Sequence, residues 1–239
     1  MQKSLLLLLC ILIIGALLPC AQEGSVNANP LNNVGTDGNN LAALEKGTLA
    51  CHLILLGCQQ KSPVLLIAAA ELLADLNFLL PTEEAIIPLE PKAILEKARE
   101  FAAENEELVT IVNTRLSALG QRKRGISRTL GQGQIQVAMP GHTFVVVSSC
   151  LLKQGDTQIL SNVTFDAETL AVVRGVGEGN GNLDLYVYDE NGKEIGKDIA
   201  PGNRPEVKWN PERRGSFKLT FKNVGPGPVA CIALANWQY

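Results

Sequence analysis

The residues with the most chemical character lie in one stretch, NLDLYVYDENGKEIGK (182–197). It contains four oxygen-bearing candidate ligands for calcium: Asp184, Asp189, Glu190 and Asn191. Calcium takes about six to eight oxygen ligands, several of them carboxylates that converge on one point. The same residue types also make a plain hairpin turn, because Asp and Asn form local hydrogen bonds and Asn-Gly suits a positive φ. We expect the plain turn and no cofactor, with calcium as the open alternative.

Acidic and aromatic side chains alternate along the strand-like part of this stretch. Asp184, Tyr186 and Tyr188 are two residues apart, so they share one face of a β-strand. They are the candidate ligand-binding residues, because an exposed aromatic surface suits a glycan or a peptide. The alternative is a buried role, which is the commoner one for aromatic residues in β-sandwiches. It stays open for the tyrosines, whereas Trp209 is expected in the core.

No arrangement of residues typical of an enzyme is found. The chain has two histidines, His52 in a leucine-rich helical run and His142 in a turn. There is no nucleophile elbow, zinc-protease motif, phosphate loop or Cys-x-x-Cys. Cys51, His52 and Cys58 lack the spacing of a zinc site. We therefore predict a protein that is not an enzyme. The alternative makes the helical part an uncharacterised hydrolase or an enzyme inhibitor, with few polar candidates: Glu71, Asp75 and His52.

The N-terminus indicates export. Lys3 precedes an unbroken run of small and apolar residues, 4–18. That run is too short to span about 30 Å of hydrocarbon comfortably, so residues 1–21 are interpreted as a secretory signal peptide. Leu17-Leu18-Pro19-Cys20 also resembles a bacterial lipobox, in which Cys20 carries lipid. Secretion or a periplasmic location is preferred, and a membrane is expected as a partner only if Cys20 is lipidated.

Export places four further cysteines in an oxidising compartment, where disulfides form. On one helix Cys51 and Cys58 lie about 10 Å apart along the axis, whereas a disulfide needs Cα atoms within about 7 Å. Cys150 and Cys231 both fall in β-patterned runs. We predict that these two form a disulfide.

The first half of the mature chain is predicted to be helical. Residues 22–40 are rich in Asn and Gly and are interpreted as a flexible tether. Residues 41–120 carry Ala and Leu at helical spacing, with helix starts at Pro63, Pro91 and Asn105. The run 64–80 is apolar nearly all round and is predicted to be a buried central helix. We expect a small helical bundle, followed by a basic, glycine-rich linker over residues 121–133.

From residue 134 the hydrophobic period changes to two. Phe217, Leu219 and Phe221 alternate with polar residues, as in a strand with one buried and one wet face. About eight short runs separated by Gly, Pro, Asn or Asp predict a β-sandwich or jelly roll over residues 134–239. The predicted fold class is therefore α+β by separate domains: an N-terminal helical bundle and a C-terminal antiparallel, jelly-roll-like β-sandwich.

The second half also resembles a known family. NLDLYVYDENGKEIG, preceded by ETLAVVRGVGEGNG and followed by VKWNPERRGSFKLTFKN, resembles the bacterial pre-peptidase C-terminal domain over roughly residues 133–236. The resemblance implies a secreted, non-catalytic β-sandwich, and some members of that family bind calcium or extracellular polymers. The loop 177–182 carries amides where the family often has carboxylates, which weakens the calcium alternative.

Charge excludes one class of partner. The net charge of −3 and the pI near 5.5 give no global attraction to nucleic acid. Together with the export signal and the resemblance, this predicts an accessory or binding protein. Its β-sandwich is expected to dock to an extracellular or periplasmic partner, either a cell-surface polysaccharide or a protein.

Overall fold

The computed structural model describes residues 37–80, 87–121, 128–129 and 143–236. The predicted signal peptide, Cys20, His142 and most of the predicted tether and linker lie outside these residues. The described chain begins with four helices: α1 (Asp37–Gln59), α2 (Pro63–Ala74), α3 (Pro91–Phe101) and α4 (Glu106–Gln121). Helix α1 starts at Asp37, so the last four residues assigned to the tether are helical.

In the described part of the chain, ten strands form two sheets. Sheet A has the order β2-β1-β3-β10-β5-β8 and sheet B the order β4-β9-β6-β7. The strands are β1 (Asn77–Leu80), β2 (Arg128–Thr129), β3 (Thr143–Leu152), β4 (Thr157–Phe165), β5 (Ala171–Gly179), β6 (Leu183–Tyr188), β7 (Glu194–Asp198), β8 (Glu206–Trp209), β9 (Gly215–Asn223) and β10 (Val229–Asn236). Strands β3 to β10 pair antiparallel. The predicted fold class, helices followed by an antiparallel β-sandwich, is confirmed.

Two helix starts follow the predicted capping chemistry. The hydroxyl of Ser62 accepts a hydrogen bond from the backbone N–H of Leu65 at 3.5 Å, and Pro63 occupies the first turn of α2. The side-chain oxygen of Asn105 accepts a hydrogen bond from the N–H of Leu108 at 3.1 Å at the start of α4. Both caps satisfy backbone donors that have no partner inside the helix.

The predicted central helix is too long. Helix α2 ends at Ala74, and residues 77–80 form strand β1, which pairs in parallel with β3 in the register Asn77↔Thr143. Backbone pairing at the edge of sheet A therefore replaces the helix that the local apolar pattern predicts. Strand β2, within the predicted linker, adds in parallel to β1.

Sheet A is covered on both faces. One face packs on sheet B, in a core that includes Leu185, Leu219 and Phe221. The other face packs on the helices, in a second core that includes the sheet residues Val172, Val176, Ile232 and Leu234. Along β10, successive side chains therefore belong to different cores. The helices and the sandwich are consecutive in sequence, as predicted, and they share this second core.

Helix α1 supplies much of the helical side of that core. Its segment Leu41–Gln59 is long and apolar enough to cross a membrane by length and composition. However, Leu44, Ala50 and Ile54 are completely buried in the core against sheet A. A core helix meets the same length and composition criteria, and the packing of α1 is that of a core helix.

Candidate functional site

The β6–β7 hairpin contains most of the predicted calcium ligands and is closed by its own residues. Oδ1 of Asp189 accepts hydrogen bonds from the backbone N–H groups of Asn191 and Lys193, each at 2.9 Å. The backbone N–H of Gly192 donates to the carbonyl of Asp189 at 3.0 Å, with φ of +80° at Gly192. Glu190 forms an ion pair with Arg213. Turn formation thus engages the acidic side chains of this loop.

The structure does not gather the four predicted ligands at one point. Asp184 is hydrogen-bonded to Tyr186 on the strand. Asp189 accepts backbone hydrogen bonds within the turn, and Glu190 forms an ion pair with Arg213. Within the described parts of the chain, no group of three or more His, Cys, Asp or Glu side chains is placed to hold a metal ion. The expectation of no cofactor stays a prediction, with calcium as its alternative.

The three candidate ligand-binding residues do lie together, on the outer face of sheet B. The rings of Tyr186 and Tyr188 are nearly parallel, at 14°, with centroids 6.5 Å apart. The phenol of Tyr186 donates a hydrogen bond to Oδ2 of Asp184 at 3.2 Å. Asp184 is 7% exposed, and both tyrosines are partly exposed. Desolvation and the hydrogen bond to Asp184 raise the pKa of Tyr186, so its phenol stays protonated and remains a donor.

Three lysines flank these residues on the neighbouring strands. Lys222 and Lys218 of β9 lie opposite Asp184 and Tyr188, and Lys197 of β7 lies opposite Tyr186. The ammonium of Lys218 is 4.5 Å from the centroid of the Tyr188 ring, a cation–π contact. We call this surface the tyrosine face, with the members Asp184, Tyr186, Tyr188, Lys197, Lys218 and Lys222.

The lysines were not among the predicted site residues. The sequence does show that Lys218 and Lys222 point away from the core, because they alternate with Phe217, Leu219 and Phe221. It does not show that β9 pairs with β6, nor in which register. Placing the lysines beside the tyrosines needs that pairing.

A second polar site is a cleft of about 420 Å³ between helix α1 and the sandwich. It is lined by His52 of α1, by the end of β5 and by the β7–β8 loop: Gly177, Glu178, Asp198, Ala200, Pro201, Gly202, Asn203, Arg204 and Pro205. Nε2 of His52 is 2.7 Å from a guanidinium nitrogen of Arg204, and Nδ1 is 4.0 Å from the carboxylate of Glu178. His52, which lies in the leucine-rich run of α1, therefore joins this helix to the sandwich.

The electrostatics of this cleft favour a neutral imidazole. Burial and the charge of Arg204 lower the pKa of His52, while Glu178 opposes the shift. A neutral ring accepts a hydrogen bond from Arg204 through one nitrogen and keeps a proton on the other. The sequence gives no signal for this arrangement, because Arg204 lies 152 residues after His52.

The polar groups of the cleft are engaged with one another and with the backbone. The described residues that line it include no serine, threonine or cysteine as a nucleophile. The carboxylate of Asp198 accepts hydrogen bonds from the backbone N–H groups of Ala200 and Glu206, at 3.0 and 2.8 Å. Of the other polar candidates in the helices, Glu71 pairs with Arg115 and Asp75 with Lys46, and neither lines the cleft. The three candidates of the hydrolase alternative do not converge.

Arg174 makes another polar connection between α1 and the sandwich. From β5 it forms ion pairs with Glu206 of β8 and with Glu45 of α1, the latter at 2.6 Å. Its side chain is only 12% exposed. Hydrogen bonding to Arg174 lowers the pKa of Glu45. Together with His52, this network fixes α1 against sheet A, so both polar clusters have a structural role.

The four described cysteines are thiols, and two of them are neighbours. Cys150 of β3 lies directly opposite Cys231 of β10. A hydrogen bond between the two thiols lowers the pKa of Cys150 and raises that of Cys231, which is also buried. Cys51 and Cys58 are on α1, as predicted. The disulfide remains a prediction.

Comparisons with known proteins give no match to any family profile and none to curated protein sequences. Similar solved structures include PliG, a periplasmic lysozyme inhibitor of g-type lysozyme from Aeromonas hydrophila. Its sequence is 12% identical, the match covers 38% of this chain and 82% of that chain, and the TM-score is 0.29. The pre-peptidase C-terminal domain of Bacillus anthracis collagenase has 14% identity, coverage of 34% and 87%, and a TM-score of 0.26. The C-terminal CBM6 of LamC from Zobellia galactanivorans has 14% identity, coverage of 36% and 76%, and a TM-score of 0.26. Similarities at these scores carry no argument about function, and membership of the pre-peptidase family remains a prediction.

Proposed function

We propose that this protein is an exported, non-enzymatic binding protein whose tyrosine face binds a cell-surface polysaccharide. The observation that carries the proposal is the pair of parallel, partly exposed rings of Tyr186 and Tyr188 beside the carboxylate of Asp184. The C–H face of a sugar ring packs against an aromatic ring, and its hydroxyls need donors and acceptors nearby. Few polar groups placed around an apolar surface are typical of specific small-ligand sites.

The composition of the tyrosine face favours a polysaccharide over a protein partner. Protein interfaces have an apolar core, depleted of charge and rich in large side chains. Three lysines and one carboxylate surround the two tyrosines here. Of the large hydrophobic residues that are exposed in the described part of the chain, Ile159 on β4 is the one in a strand of sheet B. The face therefore suits a polar, hydroxyl-rich ligand.

Export supports the same role. The signal-peptide pattern of residues 1–21 delivers the mature chain outside the cytoplasm, to the periplasm or the medium. Polysaccharides are abundant on that side of the membrane. The outward-facing Lys218 and Lys222 are exposed, so a long polymer has access to sheet B from the solvent.

The test is binding of the purified mature protein to a panel of bacterial and plant polysaccharides, by affinity electrophoresis and calorimetry. Tyr186→Ala and Tyr188→Ala are each expected to weaken binding about 3- to 10-fold, since an aromatic contact contributes about 0.5–1.5 kcal/mol beyond its burial. Tyr188→Phe retains the ring and is expected to bind nearly as tightly as the wild type. Val64→Ala, at an exposed position of helix α2, serves as the surface control.

Two results would overturn the proposal. One is a folded wild-type protein that binds no polysaccharide of the panel. The other is a polysaccharide complex that both alanine variants form with unchanged affinity, which would place the binding site elsewhere. A protein partner whose binding is lost in these variants would show that the face is a protein interface.

A further inference from the structure

We propose that the polysaccharide bound at the tyrosine face is anionic and carries carboxylate or sulfate groups. This inference rests on the proposed function and specifies the ligand class for the same surface. Its basis is the positive charge of two lysines on the face that form no ion pair with described residues, together with the positions of these lysines on β9 beside the tyrosines.

The tyrosine face has a local excess of positive charge. Lys197 is paired with Glu194 at 3.0 Å, so these two charges largely cancel. The carboxylate of Asp184 is nearly buried and holds the phenol of Tyr186. Lys218 and Lys222 are exposed, and neither forms an ion pair with a described residue. Lys218, Lys222 and Asp184 therefore leave one net positive charge on the face, and both ammonium groups are open to a ligand, on a chain whose net charge is −3.

The rest of the face keeps these lysines in place beside the tyrosines. The ammonium of Lys218 lies over the ring of Tyr188, 4.5 Å from its centroid, and this cation–π contact keeps the charge at the tyrosine pair. Lys222 stands opposite Asp184 at the other end of β6. A sugar packed on the rings would thus carry its acidic substituent towards one of the two ammonium groups.

The spacing of the lysines favours a polymer over a monosaccharide. Lys218 and Lys222 are four residues apart on β9, so their Cα atoms are about 13 Å apart. Thr220 lies between them on the same face, opposite Tyr186. One sugar ring is too small to reach both ammonium groups, whereas successive acidic units of one chain can do so. The row of lysines runs alongside the row formed by Asp184, Tyr186 and Tyr188.

Lysine recognises charge without fixing the geometry of the anion. An ammonium is a compact point charge with three rotatable donors, unlike the planar fork of arginine that matches a carboxylate. The face therefore accepts carboxylate and sulfate alike on these observations. The experiment includes both kinds of anion.

The test compares each acidic polymer with a neutral one of the same backbone. The pairs are polygalacturonate with its fully methyl-esterified form, and dextran sulfate with dextran. We expect the wild-type mature protein to bind at least one acidic polymer about tenfold or more tightly than its neutral counterpart. Rising salt should weaken acidic binding, with a slope of log affinity against log salt no steeper than about −2, because two charges are neutralised.

Charge-removing variants locate the effect. Lys218→Gln and Lys222→Gln are each expected to weaken acidic binding about two- to fivefold, the range for exposed ion pairs. Each should weaken binding to the acidic polymer more than binding to its neutral counterpart. Lys92→Gln removes the same charge from α3, where the side chain is 73% exposed, and should leave both affinities unchanged.

The outcomes separate this inference from the proposed function. Equal binding of acidic and neutral polymers that depends on Tyr186 and Tyr188 would overturn the anionic ligand and leave the polysaccharide site intact. Acidic binding that neither the lysine nor the tyrosine variants weaken would place the site elsewhere and overturn both. No binding to any polymer would overturn the proposed function itself. The polymer pair that shows the preference identifies the anion as carboxylate or sulfate.

Discussion

Removing the side chain of Asn223 is expected to destabilise the sandwich more than any other single polar change at this end of sheet B. Asn223 is the last residue of β9 and is completely buried. Its Oδ1 accepts hydrogen bonds from the backbone N–H groups of Asn182 and Gly225, at 3.1 and 3.0 Å. Its Nδ2 donates to the carbonyls of Leu152 and Gly227, at 3.0 and 2.8 Å. One amide thus ties the start of β6 and the end of β3 to the loop after β9.

The magnitude follows from these four hydrogen bonds. A typical intramolecular hydrogen bond contributes about 0.5–1.5 kcal/mol, and buried groups that lose their partner cost more. Asn223→Ala should therefore lower the free energy of unfolding by about 4 kcal/mol, a large part of the roughly 5–15 kcal/mol of a typical domain. Asn236 is a matched control, because it is an asparagine that is 4% exposed and its amide makes two such bonds, with the N–H of Val172 and the carbonyl of Leu170. Asn236→Ala should cost about half as much.

Urea unfolding followed by tryptophan fluorescence measures both variants against the wild type. The free energy of unfolding is expected to be highest for the wild type, lower for Asn236→Ala and lowest for Asn223→Ala. The slope of this free energy against urea concentration should be the same for all three proteins. Equal losses, or a smaller loss at Asn223, would refute the reasoning that the number of satisfied buried groups sets the cost. Because β6 begins next to Asn182, loss of Asn223 should also weaken polysaccharide binding, although Asn223 is not part of the tyrosine face.

Two further predictions concern the cysteines and the cleft. Oxidation is expected to join Cys150 to Cys231, which would close a loop of roughly 80 residues and add about 4.5 kcal/mol to the free energy of unfolding on the chain-entropy estimate. Adding a reductant, or making the double change Cys150→Ala and Cys231→Ala, should remove this gain in the free energy of unfolding. Peptide mapping that finds both thiols unmodified in the exported protein would exclude the bond. His52 has a lowered pKa, so the unfolded chain binds its proton more readily and the folded protein should lose stability as the pH falls through about 6.5 and below. His52→Gln, which keeps a hydrogen-bonding side chain beside Arg204, should flatten the pH dependence of urea unfolding between about pH 7 and 5, and an unchanged profile would show that the ring titrates normally.

Local patterns were sufficient to predict the elements whose structure is determined locally. The Ser62-Pro63 and Asn105 helix starts form as expected, because a cap needs only residues within one turn. The alternation at Phe217, Leu219 and Phe221 likewise identifies the buried face of β9. Strand β1 was missed for the opposite reason. Its apolar residues continue the pattern of α2, and only the non-local pairing with β3 makes them a strand.

The candidate site likewise combines features that the local sequence predicts with features that depend on non-local contacts. Asp184, Tyr186 and Tyr188 were placed on one face because they belong to one strand. The lysines were missed because the register between β6 and β9 is a tertiary property. The cleft was missed because His52 and Arg204 meet only after the helices have packed on sheet A. The bond that the sequence predicts between Cys150 and Cys231 rests on a non-local pairing too, but only two cysteines in β-patterned runs were left to pair.

The burial pattern along the strands indicates which sheet faces the solvent. In β10 and in the first part of β5 nearly every side chain is buried, on both faces, which is the pattern of a strand covered by a layer on each side. In β9 and the end of β6, buried and less buried residues alternate, which is the pattern of a sheet with one wet face. The helices can therefore cover only sheet A without burying lysine side chains that have no partner. Burying Lys218 and Lys222 unpaired would cost more than the helices gain from apolar packing. The charges that keep the helices off sheet B are thus the same charges that remain available to an anionic ligand.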